Sequence, residues 1–229
     1  KTDAQRAKIF TKIGKEMAVA VKEGGADPVS NSKLAALFAK AKANNVPNDN
    51  IDRIIKKASS ADGADYEEIV YEGYGPCGVA VIVETTTDNR NRTASDVRHY
   101  FDKFGGNLGT TGCVSFMFTE KGVIVIEADG KIDEDKLMED ALEAGAADFS
   151  SEDGIYEITT ETDDLDAVRE ALEAKGYTIS SADTDKIPSS YITLTNEDDI
   201  KHMSLLLENL EDNDDVIEVY HNWENMPED

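Results

Sequence analysis

The chain has 229 residues, of which 40% are hydrophobic and 31% charged, and its formal net charge is -25. This balance suits a folded chain of one to three domains and excludes a disordered acidic tail. No apolar run reaches the roughly 18 residues of a membrane span, no charged-then-apolar leader is recognisable, and two cysteines, Cys77 and Cys113, without C-x-x-C spacing exclude a disulfide framework, so a reducing, cytoplasmic setting is expected.

The charge is unevenly distributed. Residues 1–60 carry 12 Lys and Arg against 6 Asp and Glu, whereas residues 61–229 carry 11 against 42. One end of the molecule would attract a polyanion that the rest repels.

In chain order, Ile9, Ile13, Met17, Ala20 and Val21 recur at helical spacing over residues 5–23, and Lys8, Lys12, Lys15 and Lys22 fall on the opposite arc. Gly24 and Gly25 stop this helix. Ser30 or Asn31 can cap a second one, with Leu34, Leu37, Phe38 and Ala41 as its buried stripe, and Pro47 ends it. Asn48 or Asp49 is the expected cap of a third, which places Ile51, Ile54, Ile55 and Ala58 on one face and Arg53, Lys56 and Lys57 on the other. The pattern predicts a three-helix unit with basic outer faces.

Beyond the 59–63 linker the period becomes that of strands. Strands are expected over 66–72, 79–86 and 113–118, with a helix over 94–104 burying Val97, Phe101 and Phe104. Next come a strand over 123–127, a helix over 133–143, short strands over 147–150 and 155–160, a helix over 165–175 and a strand over 177–181. That order is the β-α-β-β-α-β split unit of ferredoxin-like folds. A last strand over 191–195, a helix over 197–210 and a strand over 216–220 suffice to complete the sheet begun at Tyr66. The expected fold class is therefore α+β in three domains: a helical basic domain (1–62), an α/β domain with an antiparallel sheet (63–119 plus 188–229), and an acidic ferredoxin-like domain (120–187) inserted in it.

Few motifs promise chemistry. Gly73-Tyr74-Gly75-Pro76-Cys77-Gly78 fits G-x-G-x-x-G, but the β-branched run Val79 to Val83 follows where a dinucleotide fingerprint needs a helix. A hairpin turn whose glycines supply positive φ is the expectation. Arg90 and Arg92 stand at the entry of the helix near Ala94, where they either build a phosphate seat with its free N–H groups or pair with nearby acids while Asn91 or Thr93 caps. His99, His202 and His221 are scattered, so no metal site is expected. Asp212-Asn213-Asp214-Asp215 lacks the glycine and glutamate of a calcium loop and reads as a solvated connection. No catalytic set and no cofactor are expected, and Val114 to Phe118 reads as core rather than a base-stacking platform.

The runs Tyr71-Glu72-Gly73-Tyr74-Gly75-Pro76, Gly78-Val79-Ala80 and Thr87-Asp88-Asn89-Arg90-Asn91-Arg92-Thr93 closely resemble the YebC/PmpR family, as do Lys8 to Lys12, Gly24 to Pro28 and Gly105 to Gly109. The resemblance spans nearly the whole chain and implies three domains, with the third inserted in the second. It also implies a short basic segment with a Gly-His-Ser-Lys-Trp-like motif near the N-terminus, which these 229 residues do not contain. Cys77 stands where relatives often have glycine. Bacterial members are described as probable transcriptional regulators that bind DNA, while others, including a mitochondrial translational activator, resemble ribosome-associated factors that assist proline-rich stretches.

Both descriptions call for nucleic acid and neither for catalysis. The candidate contacts are Lys8, Lys12, Lys15, Lys22, Arg53, Lys56, Lys57, Arg90 and Arg92. About five phosphate contacts would give log K a slope near -4 to -5 against log salt. Lysines at helical spacing supply point charges rather than base-edge forks. The preferred expectation is a monomeric, translation-linked factor binding rRNA, tRNA or the ribosome, and the alternative is a DNA-binding transcriptional regulator.

Overall fold

A computed structural model describes residues 2–61 and 63–228. The chain forms two compact units, one made of Lys1–Phe116 with Ser190–Asp229 and the other of Met117–Ser189.

The first unit opens with α1 (Asp3–Gly24), whose start is fixed by a capping box between Thr2 and Gln5. Asn31 caps α2 (Ser32–Ala43) by accepting from Leu34 N–H, and its amide also donates to Ala20 O and Gly25 O, which ties the two helices together. The third helix, α3 (Asn48–Ala58), departs from expectation at its cap: Pro47 holds that position and no side chain caps it, because Asn48 and Asp49 already lie in the first turn. The predicted apolar stripes converge, with Ile13, Met17, Leu34, Leu37 and Ile51 at the centre.

Strand β1 (Glu67–Tyr74) pairs antiparallel with β2 (Ala80–Thr87). The glycine motif is the turn of this hairpin, but its glycines differ in purpose. Cys77 and Gly78 take positive φ of 58° and 77°. Gly73 and Gly75 do not, and are needed for space: a Cβ on Gly73 would lie 2.6 Å from Asn107 O, and one on Gly75 2.5 Å from Met203 Sδ. The position where relatives often carry glycine is thus a left-handed one that Cys77 occupies under strain.

Helix α4 (Arg90–Lys103) and the short β3 (Asn107–Leu108) follow. After the second unit the chain returns and adds its last helix, α7 (Glu197–Asp212), and its last strand, β8 (Val216–His221). The sheet order is β3-β1-β2-β8, so the terminal strand completes the sheet as expected. Val81, Val83, Val97, Phe101, Met203 and Leu206 form the core between this sheet and its helices.

Two expected strands here are absent. Around 113–116 the carboxylate of Glu72, itself buried, accepts the N–H groups of Gly112 (2.6 Å), Val114 (3.2 Å) and Ser115 (2.6 Å). That gathers the backbone into turns, buries Val114 and leaves Phe116 77% exposed. Over 191–195 a single bridge joins Ile192 to Trp223, while the Asn225 amide stands in for a neighbouring strand by bonding both Leu194 N–H and Leu194 O.

In the second unit, β4 (Phe118–Glu127), α5 (Glu134–Ala144), β5 (Asp148–Glu152), β6 (Ile155–Thr160), α6 (Leu165–Ala174) and β7 (Ser181–Pro188) give the sheet order β5-β6-β4-β7, all antiparallel. This is the ferredoxin-like arrangement, and Ile124, Ile126, Leu137, Ile158 and Leu172 fill its core. The last strand starts at Ser181, where the sequence pattern placed its end, because Tyr177 serves α6 instead: its N–H caps Leu172 O and its hydroxyl donates to Asp140 (2.6 Å). The fold is α+β with antiparallel sheets.

Glu72 sets a test of this account. Burial alone would raise its pKa, but the three N–H donors prevail and hold it below the ordinary 4.5. Glu72→Gln is expected to cost about 2–3 kcal/mol at neutral pH, measured by urea unfolding. A depressed folded pKa means the contribution is complete above the ordinary value and disappears as pH falls through the folded one. The gap between wild type and variant should therefore narrow below pH 4.5, and a constant gap would contradict the assignment.

Candidate nucleic-acid interface

The predicted basic stripe of α1 is real, but Lys8, Lys12 and Lys15 are half-buried against the protein itself while Lys22 stays exposed. Lys8 donates to Asp212 O (3.2 Å) and pairs with the Asp212 carboxylate; Lys12 donates to Glu211 O (2.6 Å); Lys15 donates to Asp214 O (3.0 Å) and to Asp215 Oδ1 (2.9 Å). Lys22 donates to Ala64 O (3.1 Å) and pairs with Asp65. The physical reason lies at the end of α7. A helix C-terminus leaves carbonyls unpaired and carries partial negative charge, and α7 has no basic residue in its last turn. Lys8 and Lys12 supply the missing cations. Burial pulls the Lys12 pKa below its ordinary value even though Glu211 and Asp214 oppose the shift.

The 212–215 connection is solvated as expected at Asp212 and Asp214 but not at Asp215. Asp215 is only 3% exposed. Its carboxylate accepts from Lys15, from Arg92 through Nε (3.1 Å) and Nη2 (2.9 Å), and from Thr93 Oγ1 (2.9 Å), while its carbonyl accepts Thr86 N–H (2.8 Å). Burial would raise the Asp215 pKa, and the bonds from Arg92, Lys15 and Thr93 lower it overall.

At the α4 entry the arginines pair with nearby acids, as one alternative had it, but the cap is Asn89 rather than Asn91 or Thr93, which lie inside the first turn. Asn89 caps it by accepting Arg92 N–H, and Thr93 is buried in the Asp215 network. Arg90 forks onto Glu67 (Nε 3.2 Å, Nη2 2.8 Å), and Arg92 bridges Asp88 (2.9 Å) and Asp215. Both guanidinium groups are raised in pKa, Arg92 mainly by Asp215 and Arg90 by Glu67.

Arg53, Lys56 and Lys57 differ from all of these. They are exposed on α3, and their side chains, like that of Lys42, have no ion pair or hydrogen bond among the described residues. Beside them runs a groove of about 390 Å³ between α1 and α3, lined in part by Gly14, Arg53, Ile54, Lys57 and Tyr66. Pattern reasoning did not find this groove, although Gly14 amid good helix formers marks it: a Cβ there would lie 3.3 Å from Ile54 Cδ1. The structure thus separates the nine predicted contacts into six that pair with the protein's own acids and carbonyls, of which Lys22, Arg90 and Arg92 stay exposed, and three exposed ones without such a partner among the described residues.

The thiols are poorly suited to nucleophilic chemistry. Cys77 is raised in pKa by its hydrogen bond to Asp199 (3.0 Å), and Cys113 by burial. Among the described residues, no cluster of three His, Cys, Asp or Glu is arranged to hold a metal ion, and no helix is long and apolar enough to cross a membrane.

This architecture, a helical unit joined to an antiparallel α/β unit that carries a ferredoxin-like insertion, defines a recognisable class. Residues 1–61 match the TACO1/YebC protein N-terminal domain and residues 66–223 the TACO1/YebC second and third domain. The chain belongs to the TACO1/YebC family. It is 62% identical over 223 residues to a probable transcriptional regulatory protein of Ruminiclostridium cellulolyticum, covering 97% of this chain and 90% of that protein. A protein of the same description from Acetivibrio thermocellus is 60% identical, with 97% and 93% covered. The crystal structure of the conserved hypothetical protein Aq1575 from Aquifex aeolicus is similar with a TM-score of 0.88 at 43% identity, covering 100% of this chain and 94% of that one.

Asp215→Asn tests the internal role of the basic stripe. An amide cannot satisfy Lys15 and Arg92 together, and because Arg92 is half exposed the expected loss is about 2–3 kcal/mol rather than the full cost of breaking a buried pair. Hydrogen exchange should quicken in the first half of α1, and unchanged protection there would refute the assignment.

Proposed function

We propose that this protein is a non-enzymatic, nucleic-acid-binding regulator of gene expression, acting as a cytoplasmic monomer and gripping a phosphate backbone through α3. The observation supporting this is the exposed trio Arg53, Lys56 and Lys57, without an ion pair or hydrogen bond among the described residues, on one helix of a chain whose net charge is -25. Lys8, Lys12, Lys15, Lys22, Arg90 and Arg92 hold the molecule together and are not assigned to the ligand.

Lysines act as point charges, and of the trio only Arg53 offers a planar fork, so the helix suits a backbone of defined shape better than a base sequence. That favours a translation-linked factor acting on rRNA, tRNA or the ribosome, including at proline-rich stretches. The relatives described as probable transcriptional regulatory proteins favour a second reading, a transcriptional regulator, which would act by binding DNA.

Binding of the full chain to structured RNA and to duplex DNA across salt tests the proposal. With three or four phosphate contacts, log K should fall against log salt with a slope of about -2 to -4, shallower than nine cations would give. The triple variant Arg53→Ala, Lys56→Ala, Lys57→Ala should flatten the slope by about 2 to 3, whereas Lys8→Ala should leave it unchanged. A slope insensitive to the triple variant would reject the α3 assignment. Ribosome profiling of a deletion strain separates the two readings: pausing at proline runs with unchanged transcripts supports translation, and altered transcripts without pausing support transcription.

A further inference from the structure

The groove between α1 and α3 has a composition that α3's phosphate contacts do not require. Its lining includes Phe10, Ala18, Ile54, Tyr66 and Asn50, together with the exposed Arg53 and Lys57. None of the described residues lining it is Asp or Glu, in a chain that has 48 of them. Gly14, Ala18 and Ala58 leave the space that longer side chains would fill. Tyr66 is held in place, since the Lys15 ammonium lies 5.9 Å from its ring centroid and is itself fixed by Asp215.

An apolar slot with aromatic walls, one amide and a cationic margin matches a flat heterocycle carrying a phosphate. Its volume of about 390 Å³ is in the range of small-ligand sites. A base inside a regular duplex is stacked on both faces and cannot enter, whereas an unpaired one can be splayed outward at small cost. We propose that this groove receives the base of an unpaired nucleotide in RNA, with the adjoining phosphate against Arg53 and Lys57. The proposal rests on the backbone-binding reading above and adds to it a preference for bulged or looped RNA over a continuous helix.

The test uses the full chain and two short RNA hairpins, identical except for one bulged adenosine, with binding read by fluorescence anisotropy. Base stacking on aromatic side chains predicts that the bulged hairpin binds about tenfold tighter. Thr11→Trp is the principal variant: Thr11 is exposed, lines the groove, and its hydroxyl only back-bonds Ala7 O (3.0 Å), so the indole can plug the groove without disturbing the core. It should abolish the preference while leaving the fully paired hairpin bound as before, and Tyr66→Ala should weaken the preference in the same direction. A wild type that does not distinguish the hairpins, or a preference that survives both variants, overturns the groove assignment while leaving the α3 reading intact if the paired hairpin still depends on Arg53, Lys56 and Lys57. Loss of that dependence overturns both. Displacement of the bulged hairpin by an acidic peptide carrying one aromatic residue, with no preference between hairpins, would assign the groove to a protein partner and also overturn the proposal.

Discussion

Asp215 stands at the start of β8 with its carboxylate almost wholly removed from water, and Lys15 from α1 together with Arg92 and Thr93 from α4 converge on it. A carboxylate buried in this way would be costly if it were unpaired, so the loop between α7 and β8 is stable in this position only with its donors in place. Its carbonyl meanwhile accepts Thr86 N–H and fixes the end of β2. One residue thus links the helical bundle, the α4 entry and the central strand. Lys8 and Lys12 extend the same contact by capping the carbonyl end of α7.

This contact changes what the charge split means. An excess of cations in residues 1–60 of an acidic chain suggests a docking face for a polyanion, yet on α1 the polyanion is the protein itself: the C-terminus of α7 and the acids that follow it. On the proposed reading an external polyanion meets cations that this internal demand leaves over, among which Arg53, Lys56 and Lys57 share one face of α3. On the same reading, the strongly acidic remainder would limit which side of the molecule nucleic acid can approach. Affinity concentrated on one helix face, without many base-reading forks, suits recognition of a shaped backbone.

Much of the fold was legible because it is local. The α1 and α2 stripes follow from helical periodicity, the β1–β2 hairpin from Gly75-Pro76 followed by a β-branched run, and the ferredoxin-like order from alternating strand and helix periods. The segment around Val114 misled because its alternation is genuine, while the group that folds it into turns is Glu72, some 40 residues earlier. The α3 cap misled because Pro47, which has no polar side chain, took the position that Asn48 or Asp49 would fill. The α1 lysines were read correctly as a face and incorrectly as an outer one, since Lys15 and Asp215 are 200 residues apart and no local window contains both. One signal was available: α7 ends on Glu211 and Asp212 with no cation in its last turn, and such an end needs a cation from elsewhere.

Lysine labelling by an amine-reactive reagent, resolved by mass spectrometry with and without structured RNA, tests the central division most directly. The account predicts that Lys56 and Lys57 label rapidly in the free protein and are protected by RNA, while Lys12 and Lys15 label slowly in both states. Rapid labelling of Lys12 and Lys15 in the free protein, with protection by RNA, would contradict it.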